Sequence, residues 1–171
     1  MIPQRVIPPQ LRRKPIRVLF VCLGNICRSP AADGIMHSLV AEHGVADQWT
    51  IDSAGIGGWH VGDLPDKRMR VHAIRRGYDL THHARQVREL DFDNFDLIIG
   101  MDANNIRDLR RLAPTVEAMA KIHPISDWMG GVASHYDCIP DPYYGGAEGF
   151  EHVLDLLEDA LNRLLQDWST D

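Results

Sequence analysis

The sequence predicts an α/β fold in which helices cover both faces of a parallel sheet. Apolar runs with the length of a buried strand, such as residues 18–21 and 95–101, alternate along the chain with longer segments of helical periodicity. Glycine, proline or a capping residue separates most of these segments. Strands and helices in alternation are typical of a parallel sheet with helices packed on both faces.

The chain begins with a segment that is rich in proline and basic residues. Prolines stand at positions 3, 8, 9 and 15, and residues 12–14 are all basic. This pattern favours a flexible, solvated arm over residues 1–15, in preference to a docking arm. We therefore expect a single folded domain over residues 16–171, because 171 residues fit one domain better than two.

The first predicted strand is the continuous apolar run 18–21, which has the composition of a strand buried on both faces. It ends at Cys22 and leads into the loop Leu-Gly-Asn-Ile-Cys-Arg-Ser-Pro. Ser29 can cap a helix, and Pro30 suits the first turn of one. The pattern predicts a helix from here to a stop near Gly44.

The later elements continue the alternation of strand and helix. Further strands are predicted over 49–53, 95–101 and 118–123, and further helices over 66–76, from 102 to just before Pro114, and over 153–168. Segments 54–65 and 126–149 are rich in glycine and proline and are predicted to be loops.

Composition excludes several classes of protein. Hydrophobic residues make up 44% of the chain and charged residues 25%, as in ordinary soluble domains. The net charge of −6 disfavours a nucleic-acid partner. No apolar stretch has the length of a transmembrane helix, and the first residues do not resemble a signal peptide. We therefore expect a cytoplasmic protein without a membrane partner.

A cysteine and an arginine, Cys22 and Arg28, stand six positions apart between the first strand and its helix. Ligands of parallel sheets bind at this carboxyl edge. Backbone N–H groups of such a loop and the following helix N-terminus attract anions, and an arginine can bind two phosphate oxygens. The predicted phosphate loop comprises Leu23, Gly24, Asn25, Ile26, Cys27 and Ser29.

The same surroundings favour Cys22 as a nucleophile. A thiol beside a cation and a helix N-terminus loses its proton more readily, and a thiolate beneath a bound phosphate can attack it. Ser29 could donate a hydrogen bond to the sulfur. The alternative is a small core cysteine, but the position of the loop between an apolar strand and a capped helix favours the phosphate site.

Asp141 is the candidate general acid. It lies in the segment Ile-Pro-Asp-Pro-Tyr-Tyr, which its prolines stiffen. A carboxylic acid over the site can protonate the leaving oxygen of a phosphate ester and later act as a base for water. By itself, an aspartate before proline is more typical of a turn. The interpretation of Asp141 as a general acid therefore depends on the presence of the cysteine loop.

Three aromatic residues in predicted loops, Trp59, Tyr143 and Tyr144, are candidates for the wall of a cleft that accepts a flat ring. The alternative is that one or two of these aromatic side chains have a structural role and cover the core. No grouping of histidine, cysteine and aspartate shows metal-ligand spacing along the sequence. We therefore expect neither a metal nor another cofactor.

Several separated motifs resemble those of the low-molecular-weight protein tyrosine phosphatases. The resemblance is carried by 21–30 (VCLGNICRSP), 51–55 (IDSAG), 84–87 (ARQV), 101–102 (MD) and 141–145 (DPYYG), and it extends from Ile16 to the last helix. It implies a three-layer α/β sandwich, a four-stranded parallel twisted sheet with helices on both faces. It also implies a two-step reaction through a cysteinyl-phosphate.

The resemblance implies a role for each site residue. Cys22 corresponds to the nucleophile, Arg28 to the phosphate clamp and Asp141 to the acid. Further residues correspond to groups that shape or support the loop, namely Asn25, Ser29, Ser53 and His82. Cys27 corresponds to a cysteine that can form a reversible disulfide with the nucleophile and so protect it from over-oxidation.

The expected function is hydrolysis of phosphotyrosine in protein substrates, with inorganic phosphate or similar oxyanions also bound, by a monomer or weak homodimer. Arsenate reductases of this fold carry two further downstream cysteines, whereas this chain has only Cys138. Relatives that act on phosphoarginine carry threonine at the position of Ile26. A non-catalytic phosphotyrosine-binding module is the remaining alternative, and the intact set of reactive residues disfavours it.

Overall fold

The computed structural model describes residues 6–12, 15–130, 136–142 and 146–169. Its sheet confirms the predicted α/β class. Four parallel strands lie in the order β2-β1-β3-β4. Their bounds are β1 Ile16–Cys22, β2 Trp49–Gly55, β3 Leu97–Gly100 and β4 Ile122–Pro124.

Six α-helices accompany the sheet in the described part of the chain. They are α1 Arg28–Glu42, α2 Lys67–Ile74, α3 Asp91–Asn94, α4 Ala103–Leu112, α5 Val116–Met119 and α6 Gly146–Ser169. Side chains of Asp66, Asp102 and Thr115 cap α2, α4 and α5 by accepting a backbone N–H of the first turn. Among the described residues, no helix has the length and apolar character needed to cross a membrane.

The central strand β1 separates two hydrophobic layers. Val18 and Phe20 face the core that α1 and α6 cover, whereas Leu19 and Val21 face the core formed with α3 and α4. All four side chains are fully buried, which explains why this strand is a continuous apolar run. The result is the three-layer arrangement that the resemblance implied.

Three elements depart most from the sequence prediction, and the first is the short helix α3, which was not predicted. In addition, Ser29 lies inside α1 and does not cap it, because the N-cap position is Cys27. A strand was expected from residue 118, but the chain is helical at Val116–Met119 and β4 spans only Ile122–Pro124. The reason is local, because the Thr115 hydroxyl accepts the N–H of Ala118 and so starts a helical turn. The last helix begins at Gly146, earlier than the aliphatic pattern from residue 153 indicated.

Part of the N-terminal segment packs against α6. The backbone N–H groups of Val6 and Ile7 donate to Asp167 Oδ2 at 3.1 and 2.9 Å, and the indole N–H of Trp128 donates to the same oxygen at 3.0 Å. Arg12 lies 3.6 Å from the other carboxylate oxygen. Residues 1–15 were expected to be a solvated arm, yet Ile7 is only 1% exposed. An apolar side chain and a buried carboxylate that needs donors explain the difference.

Candidate active site

The predicted phosphate loop lies at the carboxyl edge of the sheet. β1 ends at Cys22, which pairs with Gly55 of β2, and α1 begins at Arg28. The loop between them therefore connects a central strand to the positive end of a 15-residue helix. This is the edge at which parallel sheets bind ligands.

Asn25 holds the turn of the loop. Its backbone is left-handed, with φ of 58°, a conformation that asparagine tolerates better than most residues. Its Nδ2 lies 2.8 Å from Ser29 Oγ and 3.1 Å from Ser53 Oγ, and its Oδ1 accepts the Arg85 backbone N–H at 3.0 Å. His82 Nε2 lies 3.1 Å from the same oxygen. The sequence-predicted supporting residues Ser29, Ser53 and His82 therefore meet on this one side chain.

The hydrogen bonds of Asn25 fix the tautomer of His82. Because Asn25 Oδ1 accepts a backbone N–H, it is an oxygen and cannot donate, so His82 Nε2 carries a hydrogen. Its Nδ1 lies 3.5 Å from Asp52 and 3.6 Å from Asp33. One ligand atom from each of these three residues lies within 4.8 Å of the others. The sequence spacing did not reveal this grouping.

Cys22 sits at the base of the loop and is 3% exposed. Its Sγ lies 3.0 Å from Ser29 Oγ. Asn25 Nδ2 already donates to that hydroxyl oxygen, so the one hydroxyl hydrogen is directed either to the sulfur or to the carbonyl of Ala54, which is 3.4 Å away and therefore the more distant acceptor. Ser29 is thus placed to stabilise a thiolate at Cys22.

Arg28 is buried beside Cys22 and held by an aspartate that sequence reasoning did not select. Its Nη1 donates to Asp102 Oδ2 at 2.6 Å and to the carbonyl of Ile139 at 3.1 Å, and its Nη2 lies 3.8 Å from Asp141. Burial lowers the pKa of this guanidinium, but Cys22, Asp102 and Asp141 together raise it above the ordinary value. Arg28 therefore remains a cation.

The motif Met-Asp at the end of β3 was the available signal for Asp102. Gly100 of β3 pairs with Val21 of β1, so the residue two positions further on reaches the same edge as the loop. Asp102 also caps α4 by accepting the N–H of Asn105 at 2.8 Å. One carboxylate thus fixes both a helix and the arginine.

A cavity of about 270 Å³ opens above Cys22 and brings most of the predicted site residues together. Its lining consists of Cys22, Leu23, Gly24, Ile26, Cys27, Arg28, Trp59, His60 and Asp141. Trp59 stands at the rim and is 71% exposed. His60 was not predicted as a site residue. Tyr143 and Tyr144, the other predicted cleft residues, lie outside the described residues.

Gly55 allows β2 to pack directly under the loop. A Cβ there would lie 3.0 Å from the backbone atoms Leu23 O, Gly24 C and Asn25 N, so a larger residue would push the loop away. The N–H groups of Ile56 and Gly57 then donate to the carbonyls of Cys22 and Leu23 at 3.0 and 2.9 Å. These two bonds use carbonyl groups of the loop and none of its N–H groups, which an anion can then bind.

The fold and the loop together define an α/β protein built to hold an oxyanion between a strand and a helix. The family model described as low molecular weight phosphotyrosine protein phosphatase matches residues 17–171. The chain belongs to this family. The low molecular weight protein-tyrosine-phosphatase of Streptomyces coelicolor is 44% identical over 149 residues, which is 87% of this chain and 91% of that protein.

Solved structures agree with this assignment. A protein tyrosine phosphatase of Entamoeba histolytica, with Hepes in its active site, superposes with a TM-score of 0.84 at 40% identity, covering 88% of this chain and 95% of that one. An arginine phosphatase of Drosophila superposes with a TM-score of 0.83 at 34% identity, covering 90% and 98%. The protein is therefore a phosphatase by family. Which phosphorylated residue it accepts depends on the residues that line its own cavity.

Proposed function

We propose that this protein hydrolyses phosphotyrosine in protein substrates, with Cys22 as nucleophile, Arg28 as phosphate clamp and Asp141 as general acid. The observation that carries the proposal is the single cavity lined by all three side chains. Catalysis then consists mainly of positioning and of charge stabilisation by the loop.

In the first step, Cys22 Sγ attacks phosphorus and the bond from phosphorus to the phenolic oxygen breaks. The leaving oxygen takes a proton from Asp141, so tyrosine departs neutral and the phosphoryl group is bonded to sulfur. Arg28 stabilises the negative charge on the phosphate oxygens during this step. Its Nη1 is held by Asp102 and Ile139, which aims the remaining edge of the guanidinium at the phosphate oxygens.

In the second step, a water molecule attacks the cysteinyl-phosphate while Asp141, now a carboxylate, accepts a proton from that water. The bond from phosphorus to sulfur breaks, and inorganic phosphate leaves. The electron pair returns to Cys22 as a thiolate, which Ser29 Oγ, 3.0 Å away, can stabilise by donating its hydrogen. No further co-reactant is needed.

The walls of the cavity favour an aromatic phosphate ester over phosphoarginine. Ile26 gives the wall an aliphatic side chain where phosphoarginine relatives carry threonine, and Trp59 stands at the rim. A phenyl ring gains from contact with such surfaces, whereas a guanidinium phosphate presents polar N–H groups that they leave unpaired. The arginine phosphatase among the structural relatives makes phosphoarginine the substrate to test in parallel.

The surroundings of Cys138 give no support to an arsenate-reductase relay. Burial first, then Asp137 and Asp102, raise the pKa of this thiol. Cys138 is therefore mostly protonated near neutral pH, whereas a relay requires a reactive thiolate.

The test is release of phosphate from a phosphotyrosine peptide and from a phosphoarginine peptide under reducing conditions, with parent protein, Cys22→Ser and Cys138→Ser. We expect turnover of the phosphotyrosine peptide by the parent and by Cys138→Ser, and none by Cys22→Ser, which should still bind phosphate. Substantial turnover by Cys22→Ser, or a preference for phosphoarginine, would contradict the proposal.

A further inference from the structure

A second cleft, of about 560 Å³, runs along α4 on the far side of Asp102. Three arginines line it, Arg107, Arg110 and Arg111, and Pro124 and Asp137 lie on its walls. This cleft and the cavity above Cys22 share no lining residue, but Asp102 of the cleft contacts Arg28 of the cavity at 2.6 Å. A substrate chain bound above Cys22 would enter the cleft by passing over this pair.

The helical spacing of the arginines places them on one face. Positions 107, 110 and 111 are separated by three and four residues, the spacing of neighbours on a helix surface. Ile106 and Leu109 are buried in the core between α4 and the sheet. The cationic face is therefore carried by a helix that is anchored on the sheet and capped by Asp102.

The local charge opposes that of the whole protein, which has a net charge of −6. Arg107 and Arg111 share one carboxylate, Asp108, at 3.5 and 3.8 Å. Arg110 forms no ion pair with any residue in the described ranges. Exposed pairs at such distances are weak. Asp102 is engaged by Arg28, so the three arginines face two further carboxylates, Asp108 and Asp137, and the cleft retains an excess of one positive charge.

The dimensions match an extended peptide. From Asp102 to Arg110 there are eight residues of helix, or about 12 Å at 1.5 Å per residue. An extended chain advances about 3.3 Å per residue, so Arg110 lies about three to four residues along a peptide that runs beside α4 from Asp102. Guanidinium groups bind carboxylates and phosphates in the same forked geometry.

We propose that this arginine cleft is a specificity subsite. It binds an anionic side chain of the substrate protein, carboxylate or phosphate, that lies three to four residues from the phosphotyrosine on one side. The inference rests on the proposed function, because it extends the same substrate chain beyond the catalytic loop.

The test is kcat/KM for a set of peptides with one phosphotyrosine and otherwise neutral residues, in which glutamate is placed singly at each position up to five residues on either side. We expect glutamate three or four residues away, on one side only, to raise kcat/KM about three- to tenfold. Phosphoserine at that position should raise it further, and 0.5 M salt should reduce both gains.

The variant Arg107→Gln/Arg110→Gln should lose the gain while keeping its turnover of the neutral peptide. The control Arg75→Gln/Arg88→Gln removes the same charge from exposed positions outside the cleft and should keep the gain. A gain confined to phosphoserine would support the subsite and assign it to phosphate. Equal gains at every position, or a gain that survives in the cleft variant, would overturn it.

Turnover of the neutral peptide by the parent protein separates this inference from the proposed function. If the neutral phosphotyrosine peptide is not hydrolysed, the proposed function fails. If it is hydrolysed but acidic residues bring no advantage, only the subsite fails.

Discussion

Cys22 and Cys27 share one loop and one cavity, yet their side chains have different surroundings. Cys22 faces the Ser29 hydroxyl and lies beside the Arg28 cation. Burial, and then the negative charge of Asp66, raise the pKa of the Cys27 thiol far above its ordinary value. Cys27 therefore stays protonated through neutral and mildly alkaline pH, and only Cys22 is placed to react as a thiolate.

Brief alkylation with iodoacetamide at neutral pH should modify Cys22 and leave Cys27 intact, because thiolates and not thiols are the nucleophiles. Peptide mass spectrometry would read out both sites, and inorganic phosphate should protect Cys22. Modification of Cys27 at a rate equal to that of Cys22 would contradict the assignment of the raised pKa.

Oxidation tests the pairing that the family resemblance implied for the two cysteines. After hydrogen peroxide followed by dithiothreitol, the parent protein should recover its activity, whereas Cys27→Ser should not, since an unpaired sulfenic acid oxidises further. Cys138→Ser is the matched control and should recover like the parent. Full recovery by Cys27→Ser would remove the protective role.

Asp141→Asn should lower kcat by about 10²-fold or more for phenyl phosphate, since general acid catalysis contributes on that scale. The loss should be smaller for p-nitrophenyl phosphate, whose leaving group needs less help from a proton. Asp93→Asn, an exposed change on α3, is the control and should leave both rates unchanged. Equal losses for the two substrates would argue against the acid role.

The structure brings Cys22, Arg28 and Asp141 to one cavity, as the sequence indicated, and their catalytic roles stay predictions. Asp102 was not selected, because its role arises from a contact across 74 positions of sequence with Arg28. His60 was not selected either, since a loop histidine is usually solvated, and only the folded cavity brings it beside Gly24.

At the scale of elements, contacts from neighbouring segments fix the conformation of the loop between β1 and α1. The strand β2 approaches it at Gly55, and Asn25 gathers contacts from Ser29, Ser53, His82 and the backbone of Arg85. The inward side of the loop is thereby left for an anion. The shape of the anion-binding loop therefore depends on β2 and on residues 82–85 as well as on the loop itself.

Asn25→Ala should destabilise the protein by about 2–4 kcal/mol, because it leaves buried polar groups unpaired and strains a left-handed backbone. Asn25→Gly loses the same hydrogen bonds without the strain and should be more stable than Asn25→Ala by roughly 1 kcal/mol. Urea unfolding gives both values, and phosphate affinity should fall in each variant. Unchanged stability and affinity in both would show that the loop does not depend on this side chain.

Elements were predictable where a periodic or apolar run was long, as in β1 and the core of α6. The boundary between α5 and β4 was misplaced, because a single hydroxyl, that of Thr115, starts a helical turn inside a segment that reads as a strand. Local capping outweighed the weak strand propensity of so short a segment.

At the scale of the whole molecule, the candidate site lies at one edge of the sheet, and residues 6–12 pack against the layer that contains α6. Asp167 of α6 accepts hydrogen bonds from Val6, Ile7 and Trp128. The proline pattern alone indicated a solvated segment. Only the partner on α6, 160 positions away from Ile7, explains why these residues pack.

This packing should contribute to stability and not to catalysis. Ile7 is 1% exposed, so Ile7→Ala should lower the free energy of unfolding by about 2–4 kcal/mol through lost burial and a residual cavity. The turnover of p-nitrophenyl phosphate at a temperature where both proteins are folded should be unchanged, because the backbone N–H of Ile7 bonds to Asp167 of α6 and Ile7 does not line the cavity above Cys22. Val116→Ala is the matched control, since its side chain is 79% exposed and its loss should change stability by less than about 0.5 kcal/mol. Urea unfolding of the three proteins decides the outcome: if Ile7→Ala is as stable as Val116→Ala, the segment is not part of the folded domain in solution, and the carboxylate of Asp167 must find its donors elsewhere.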